Sequence, residues 1–181
     1  MTTYLTADTH FGHENVIKFC NRPYANAAEM DQALIDNWNA VVRPRDTVYH
    51  LGDFAYRCDH DRMKRIFNRL NGEKHLFTGN HDTTVTEKLG WKSVDKLNIV
   101  SIDGVRACLC HYPIRNWPGR FRGVMHFFGH SHGGSPDLER SCDVGVDVWG
   151  YFPVAFDDLR LKLEAIPLPG QDDEDNSPPT P

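Results

Sequence analysis

Two pairs of residues in this chain have the types and spacing for metal chemistry. Asp8 and His10 close the first strand-like run, and His130 and His132 follow another, Val124 to Phe128. Side chains of an extended chain alternate faces, so residues two apart point the same way. Between the pairs stand Gly52-Asp53, Gly79-Asn80-His81-Asp82 and His111, each after a stretch that reads as a strand. Together they supply three carboxylates, five imidazoles and one amide. Any one of these alone is more simply a turn residue or a satisfied polar group. The ordered set is not, because each member follows a strand and most are flanked by glycine. A carboxylate can bridge two cations, and Asp53 lies between the other groups in sequence. The expectation is a two-metal hydrolytic centre bridged by Asp53. Mixed nitrogen and oxygen ligands suit Mn²⁺, Fe²⁺ or Zn²⁺ better than Mg²⁺ or Ca²⁺, with Ni²⁺ or Mg²⁺ as substitutes in vitro.

The elements that must carry these groups follow from hydrophobic periodicity. Thr3 to Ala7, Thr47 to Leu51 and His75 to Thr78 read as strands delivering Asp8, Asp53 and Asn80-His81 at their C-terminal ends. Open α/β sheets place their ligands there. Glu14 to Cys20 is a short helix. Asn26 caps a second one to about Val41, with Met30, Leu34, Trp38 and Val41 as its buried stripe. Asp59 caps a third, with Met63, Ile66, Phe67 and Leu70 inward, stopped at Asn71-Gly72. Strand-like runs then recur at Leu97 to Ile102, Arg106 to Cys110, Val124 to Phe128 and Asp143 to Val148. Val154 to Phe156 is a last strand, and Asp157 caps a closing helix to about Ala165. This order predicts an α/β fold: βαβαβ first, then a mostly antiparallel half, packed as two sheets with helices outside.

The chain of 181 residues suffices for one domain, taken as residues 1–166. Its formal net charge is -5, and the tail acids Asp172, Asp173, Glu174 and Asp175 carry four of those charges. The folded part therefore lacks the basic excess that dominates nucleic-acid affinity. Residues 167–181, rich in proline and acids, are expected to be disordered. Five scattered cysteines and no signal-like start point to a reducing, cytoplasmic setting. Cys108 and Cys110 fit one buried strand face better than a zinc site. No run of about 18 apolar residues suggests a membrane span.

The motifs D-x-H, G-D, G-N-H-[DE], H and G-H-x-H, present in that order, resemble the calcineurin-like metallophosphoesterases. The resemblance spans residues 3 to about 165 and implies the metallophosphoesterase fold, a four-layer-like α-β-β-α sandwich of two mixed sheets flanked by helices. It implies two divalent metals, one held by Asp8, His10, Asp53 and His132, the other by Asp53, Asn80, His111 and His130. His81 would face the leaving group and give it a proton, with no covalent enzyme intermediate. The implied activity is hydrolysis of a small phosphodiester or phosphomonoester. A diester is favoured because no cap domain is present to enclose a monoester. The alternatives are a nuclease, disfavoured by charge, and a non-catalytic metal-binding scaffold for protein contacts, disfavoured because no ligand is missing.

Two departures from the family pattern stand out. The start reads Asp8-Thr9-His10-Phe11-Gly12-His13, so His13 is an extra imidazole; it serves either as a helix-start hydrogen bonder or as a phosphate contact. After Asp53, protein phosphatases of the family read G-D-x-x-D-R-G, with the second Asp orienting the catalytic histidine. Here Tyr56 stands at that place, which disfavours a protein phosphatase and leaves the partner of His81 open. A loop after His111 carries Arg115, Arg120 and Arg122. Arg115 is the first candidate for a phosphate contact, since the planar guanidinium matches phosphate oxygens. Trp117 in the same loop is expected as an anchor rather than a stacking platform. Asp147 is either a polar site residue or a turn cap.

Overall fold

The computed structural model describes residues 1–166; the tail expected to be disordered from 167 lies outside them. Strands β1 (Thr3–Thr6), β2 (Thr47–His50), β3 (Glu73–Phe77) and β4 (Val94–Asp95) run parallel, and β9 (Val154–Ala155) pairs antiparallel with β1. That sheet has the order β4-β3-β2-β1-β9. Strands β5 (Leu97–Ile102), β6 (Val105–Cys110), β7 (Met125–Phe128) and β8 (Ser141–Asp143) form the second sheet in sequence order. Helices α1 (Glu14–Phe19), α2 (Ala27–Val41), α3 (His60–Arg69), α4 (Thr84–Glu87) and α5 (Phe156–Glu164) complete the chain. These are two mixed sheets flanked by helices, the arrangement expected.

The second half is not mostly antiparallel. Only β5 and β6 pair that way, across the Asp103-Gly104 turn, while β6-β7 and β7-β8 are parallel. The segments before β7 and β8 are long enough to cross back over the sheet, which parallel pairing demands. The strand expected over Asp143 to Val148 is also shorter: β8 ends at Asp143, and beyond it only Gly145 bridges to Ala7. Asp157 lies inside α5 rather than capping it; Ala155 holds the cap position, without a side-chain hydrogen bond.

Strand alternation sorts the core into two layers. On β1 and β2, Tyr4 and Val48 face α2 and α3, where Met30, Leu34, Trp38, Ile66 and Phe67 pack. Leu5 and Tyr49 face the other way, against Leu109, Met125 and Phe127 of the second sheet. Asn26 and Asp59 cap α2 and α3 by accepting from Glu29 N–H and Arg62 N–H, 2.9 Å each, as their sequence positions predict. Trp117 is buried and donates its indole N–H to the Val124 carbonyl at 2.7 Å, so it anchors its loop. Cys108 and Cys110 are buried free thiols.

Two histidines belong to this core rather than to the site. His126 binds the Cys108 carbonyl (3.0 Å) and accepts from Ile114 N–H (3.1 Å). His50 is fully buried, 2.9 Å from the Thr9 hydroxyl, and burial lowers its pKa to about 3. An unfolded chain would protonate this ring near pH ~6.5. Between that pH and about 3 the unfolded state therefore binds more protons, so stability falls as pH falls. Each pH unit inside the window costs up to about 1.4 kcal/mol. Urea unfolding with chelator present at pH 7 and pH 5 should show this loss in the wild type. His50→Gln should show a shallower slope; an identical slope would rule His50 out as its source.

Candidate metal centre

Parallel pairing brings the ends of β1, β2 and β3 to one edge, and those of β6 and β7 lie opposite. The first two loops are locked together by backbone bonds: Asp8 N–H to Gly52 O, His10 N–H to Asp53 O and Phe11 N–H to Phe54 O, at 2.9–3.0 Å. The sheets are then stitched across the site. His130 N–H donates to Asp8 Oδ2 at 2.8 Å, and His111 Nδ1 lies 2.7 Å from the Leu51 carbonyl. A carbonyl only accepts, so Nδ1 carries the proton and Nε2 presents its lone pair to the site. That Nε2 is 3.1 Å from Asn80 Oδ1 and 3.6 Å from Asp53 Oδ2.

Two groups of candidate ligands emerge: Asp8, His10 and His132; and Asp53, His111 and His130. Asp53 stands between them, with Oδ2 also 3.6 Å from His10 Nε2. Gly52 has φ +93° and lies so close to Gly79 and His111 that a Cβ would collide with both. Gly79 has an ordinary φ, and a Cβ there would overlap the Asp53 carboxylate; glycine serves there for close approach, not for turning.

The donor set fits divalent cations. Asp8 Oδ1 and both ring nitrogens of His10 are buried without a hydrogen-bond partner, which buried polar atoms rarely tolerate. Burial, then the nearby charges of Asp53 and Asp143, raise the Asp8 carboxyl well above its ordinary range. Burial, then Arg22 and neighbouring histidines, hold His10 well below its usual pKa, so it is neutral, as a metal ligand must be. Carboxylates clustered against repulsion beside neutral imidazoles are what a dication reconciles.

His81 lies at the rim. Its backbone N–H donates to Asp53 Oδ1 (2.9 Å), and its Nε2 is 3.9 Å from Asp53 Oδ2. Its ring packs edge-on against Tyr56, centroids 4.4 Å apart, and lies 5.3 Å from the His10 ring. Asp82 does not orient it. The Asp82 carboxylate instead accepts from the N–H groups of Asp53, Phe54 and Gly79 at 2.8–3.0 Å, holding two ligand loops together. His13 makes no helix-capping bond; its ring lines the cavity over His10, His81 and His132. Arg115 lines a different cavity, with Pro113, Phe128 and Leu138, away from that group.

Asp147, ambiguous in the sequence, is a strut. Its Oδ2 accepts from His132 Nδ1 at 2.6 Å, and both its oxygens accept from the buried Arg22 guanidinium at 2.8 Å. Arg22 also donates to the Asp8 and Thr9 carbonyls. Burial pushes the Asp147 carboxyl up, but hydrogen bonds from His132 and Arg22 outweigh it and hold it below the usual range. Cys20 also lies close to His132 and Asp147, yet the guanidinium saturating Asp147 makes that trio a poor cation site. Asp143 braces the other loop, accepting from the Ser131 hydroxyl and the Gly133 and Gly145 N–H groups.

The model of the calcineurin-like phosphoesterases matches residues 1–158. The chain belongs to that family. It is a metal-dependent phosphoester hydrolase, and its fold is the family's. An uncharacterized protein of Methanocaldococcus jannaschii, MJ1445, is 38% identical over 169 residues, covering 88% of this chain and 89% of that one. The gene 66 protein of Mycobacterium phage L5 is 25% identical, over 82% of this chain and 87% of its own. Among solved structures, a protein of unknown function from Aquifex aeolicus, AQ665, superposes with a TM-score of 0.71 at 24% identity. That alignment covers 89% of this chain and 98% of that one. Among the described residues, no helix of this phosphoesterase is long and apolar enough to cross a membrane.

Proposed function

We propose that this phosphoesterase hydrolyses small phosphodiesters at a dinuclear centre. Asp8, His10, Asp53 and His132 would hold one cation, and Asp53, Asn80, His111 and His130 the other. The observation that carries this reading is the place of Asp53 Oδ2, 3.6 Å from a His10 nitrogen on one side and 3.6 Å from a His111 nitrogen on the other. When bound, the two ions supply positive charge to the phosphoryl oxygens and an acidified water. Mn²⁺, Fe²⁺ and Zn²⁺ suit the donors best.

The chain's own groups do the rest. The Leu51 carbonyl and Asp147 fix the tautomers of His111 and His132, so each aims Nε2 inward. His81 gives a proton to the departing oxygen. The cavity beside His10, His81 and His132 is open and about 550 Å³, with no cap over it among the described residues, which suits a diester carrying substituents on both sides. The cysteines fit a cytoplasmic protein.

The strut makes a separable prediction. Asp147→Asn should weaken binding of one cation by about 10–100-fold and leave the other unchanged in a calorimetric titration. Equal weakening of both would deny Asp147 that role. The activity itself is tested by metal-reconstituted hydrolysis of bis(4-nitrophenyl) phosphate beside 4-nitrophenyl phosphate. Metal-dependent preference for the diester is expected; preference for the monoester would make the enzyme a phosphatase.

A further inference from the structure

Helix α3 carries Arg62, Lys64, Arg65 and Arg69 against one carboxylate, Asp61, although the chain without its tail acids is close to neutral. Arg62, Arg65 and Arg69 fall at i, i+3 and i+7, a single stripe of the helix. Like charges at such spacings repel and weaken a helix, so the stripe costs stability. It walls a cavity of about 370 Å³ between α2 and α3, with Asp31 and Gln32 opposite and the buried Ile35 and Ile66 beneath. None of the candidate metal ligands lines it.

The carboxylate on this cavity is already engaged. Asp31 Oδ2 accepts from Arg62 at 2.6 Å, and Oδ1 accepts from Gly12 N–H at 2.8 Å. Arg69 donates to the neutral Gln32 amide oxygen at 2.8 Å. Arg65 and Arg69 are exposed, and neither makes an ion pair among the described residues. Two guanidiniums one turn apart, without anions of their own, thus stand over an apolar floor.

We propose that this groove binds a small organic polyphosphate, a nucleoside di- or triphosphate in class, and that Asp31 relays its occupancy to the metal centre. The site is separate from the hydrolytic reaction and does not depend on which ester is cleaved. Guanidinium groups give phosphoryl oxygens paired, parallel hydrogen bonds. The three arginines span about 10 Å along the helix, the reach of a short phosphate chain rather than of a single phosphate. The volume falls in the range of about 300–1,000 Å³ typical of small-molecule sites, and Ile35 and Ile66 suit a ring laid over them. A nucleic-acid strand draws its affinity from many phosphate contacts, and this groove offers three. The relay runs through the loop that carries Asp8, His10 and His13. Gly12 in that loop lies so close to Cys58, just before α3, that a Cβ would collide with it, which leaves the loop little slack. A phosphoryl oxygen that engages Arg62 competes with Asp31 for the same guanidinium. The change reaches Gly12 N–H through the other oxygen of Asp31.

Calorimetric titration of the full chain with ATP tests the site, with chelator present so that no cation at the metal centre competes for phosphate. One ATP should bind per chain, and tripolyphosphate about tenfold more weakly, since it leaves the apolar floor uncovered. Arg65→Gln and Arg69→Gln should each weaken ATP about tenfold, with a Tm no lower than that of the wild type, because each relieves repulsion along the helix. At saturation the Gly12 amide resonance should shift in a ¹⁵N-correlated spectrum. No ATP binding by the wild type, or equal binding by the Arg65→Gln, Arg69→Gln double variant, would overturn the site. Tripolyphosphate binding as tightly as ATP would overturn the organic ligand, and a single-stranded oligonucleotide binding more tightly than ATP would overturn the small one. A Gly12 amide unmoved at saturation would overturn the relay.

Discussion

Asp53→Asn should lower diester hydrolysis by about a thousandfold or more. The carboxylate lies between the two ligand groups, and its Oδ2 faces a histidine nitrogen of each. An amide brings no charge and cannot bridge through two equivalent oxygens. Lewis-acid stabilisation of a phosphoryl transition state contributes several kcal/mol, and each 1.36 kcal/mol is about tenfold in rate. Stability should move the other way when a chelator is present. Asp53 adds like charge to the buried Asp8 and raises its carboxyl, so the variant without metal should melt no lower than the wild type. Mn²⁺ should then stabilise the wild type, by about 4 kcal/mol at a thousand times Kd, and the variant far less. Thermal melts with and without Mn²⁺ read both effects. A variant that melts well below wild type in chelator would make Asp53 a structural residue first.

His81→Ala should cost about 10²–10⁴ in kcat while both metals stay bound. The loss should depend on the leaving group. A nitrophenolate departs as a stable anion and needs little protonation; an alkyl alcohol needs it fully. The deficit should therefore be small on a nitrophenyl ester and large on an alkyl one. An equal deficit on both would assign His81 to phosphoryl binding rather than proton transfer. The edge-on ring of Tyr56, 4.4 Å away, holds His81 where protein phosphatases of the family use a carboxylate. Packing against an aromatic ring orients His81 without adding negative charge beside it.

The candidate ligands were legible because strand ends and two-residue spacing are local signals. Asp8, His10, Asp53, Asn80, His111, His130 and His132 all converge at facing strand ends. What supports them was not legible, because it acts between distant parts of the chain. Arg22 meets Asp147 across 125 positions, and no local pattern marks a buried arginine that will hold a ligand's neighbour. Asp82 adjoins His81 in sequence, yet its side chain turns to the backbone of Asp53, Phe54 and Gly79. Periodicity marks Asp143 only as a strand residue, whereas its carboxylate braces the Ser131 loop. Pairing direction was lost for a related reason: periodicity marks β7 and β8 as strands but says nothing of how their connections cross. Arg115 follows His111 closely in sequence, yet it lines a different cavity, with Pro113, Phe128 and Leu138.

The dinuclear centre is tested most directly by adding Mn²⁺ stepwise to chelator-treated protein while diester hydrolysis is followed in the same samples. Activity should stay low through the first equivalent and rise with the second, reaching its plateau at two bound ions per chain. Full activity at one equivalent, or two bound ions without turnover, would contradict it.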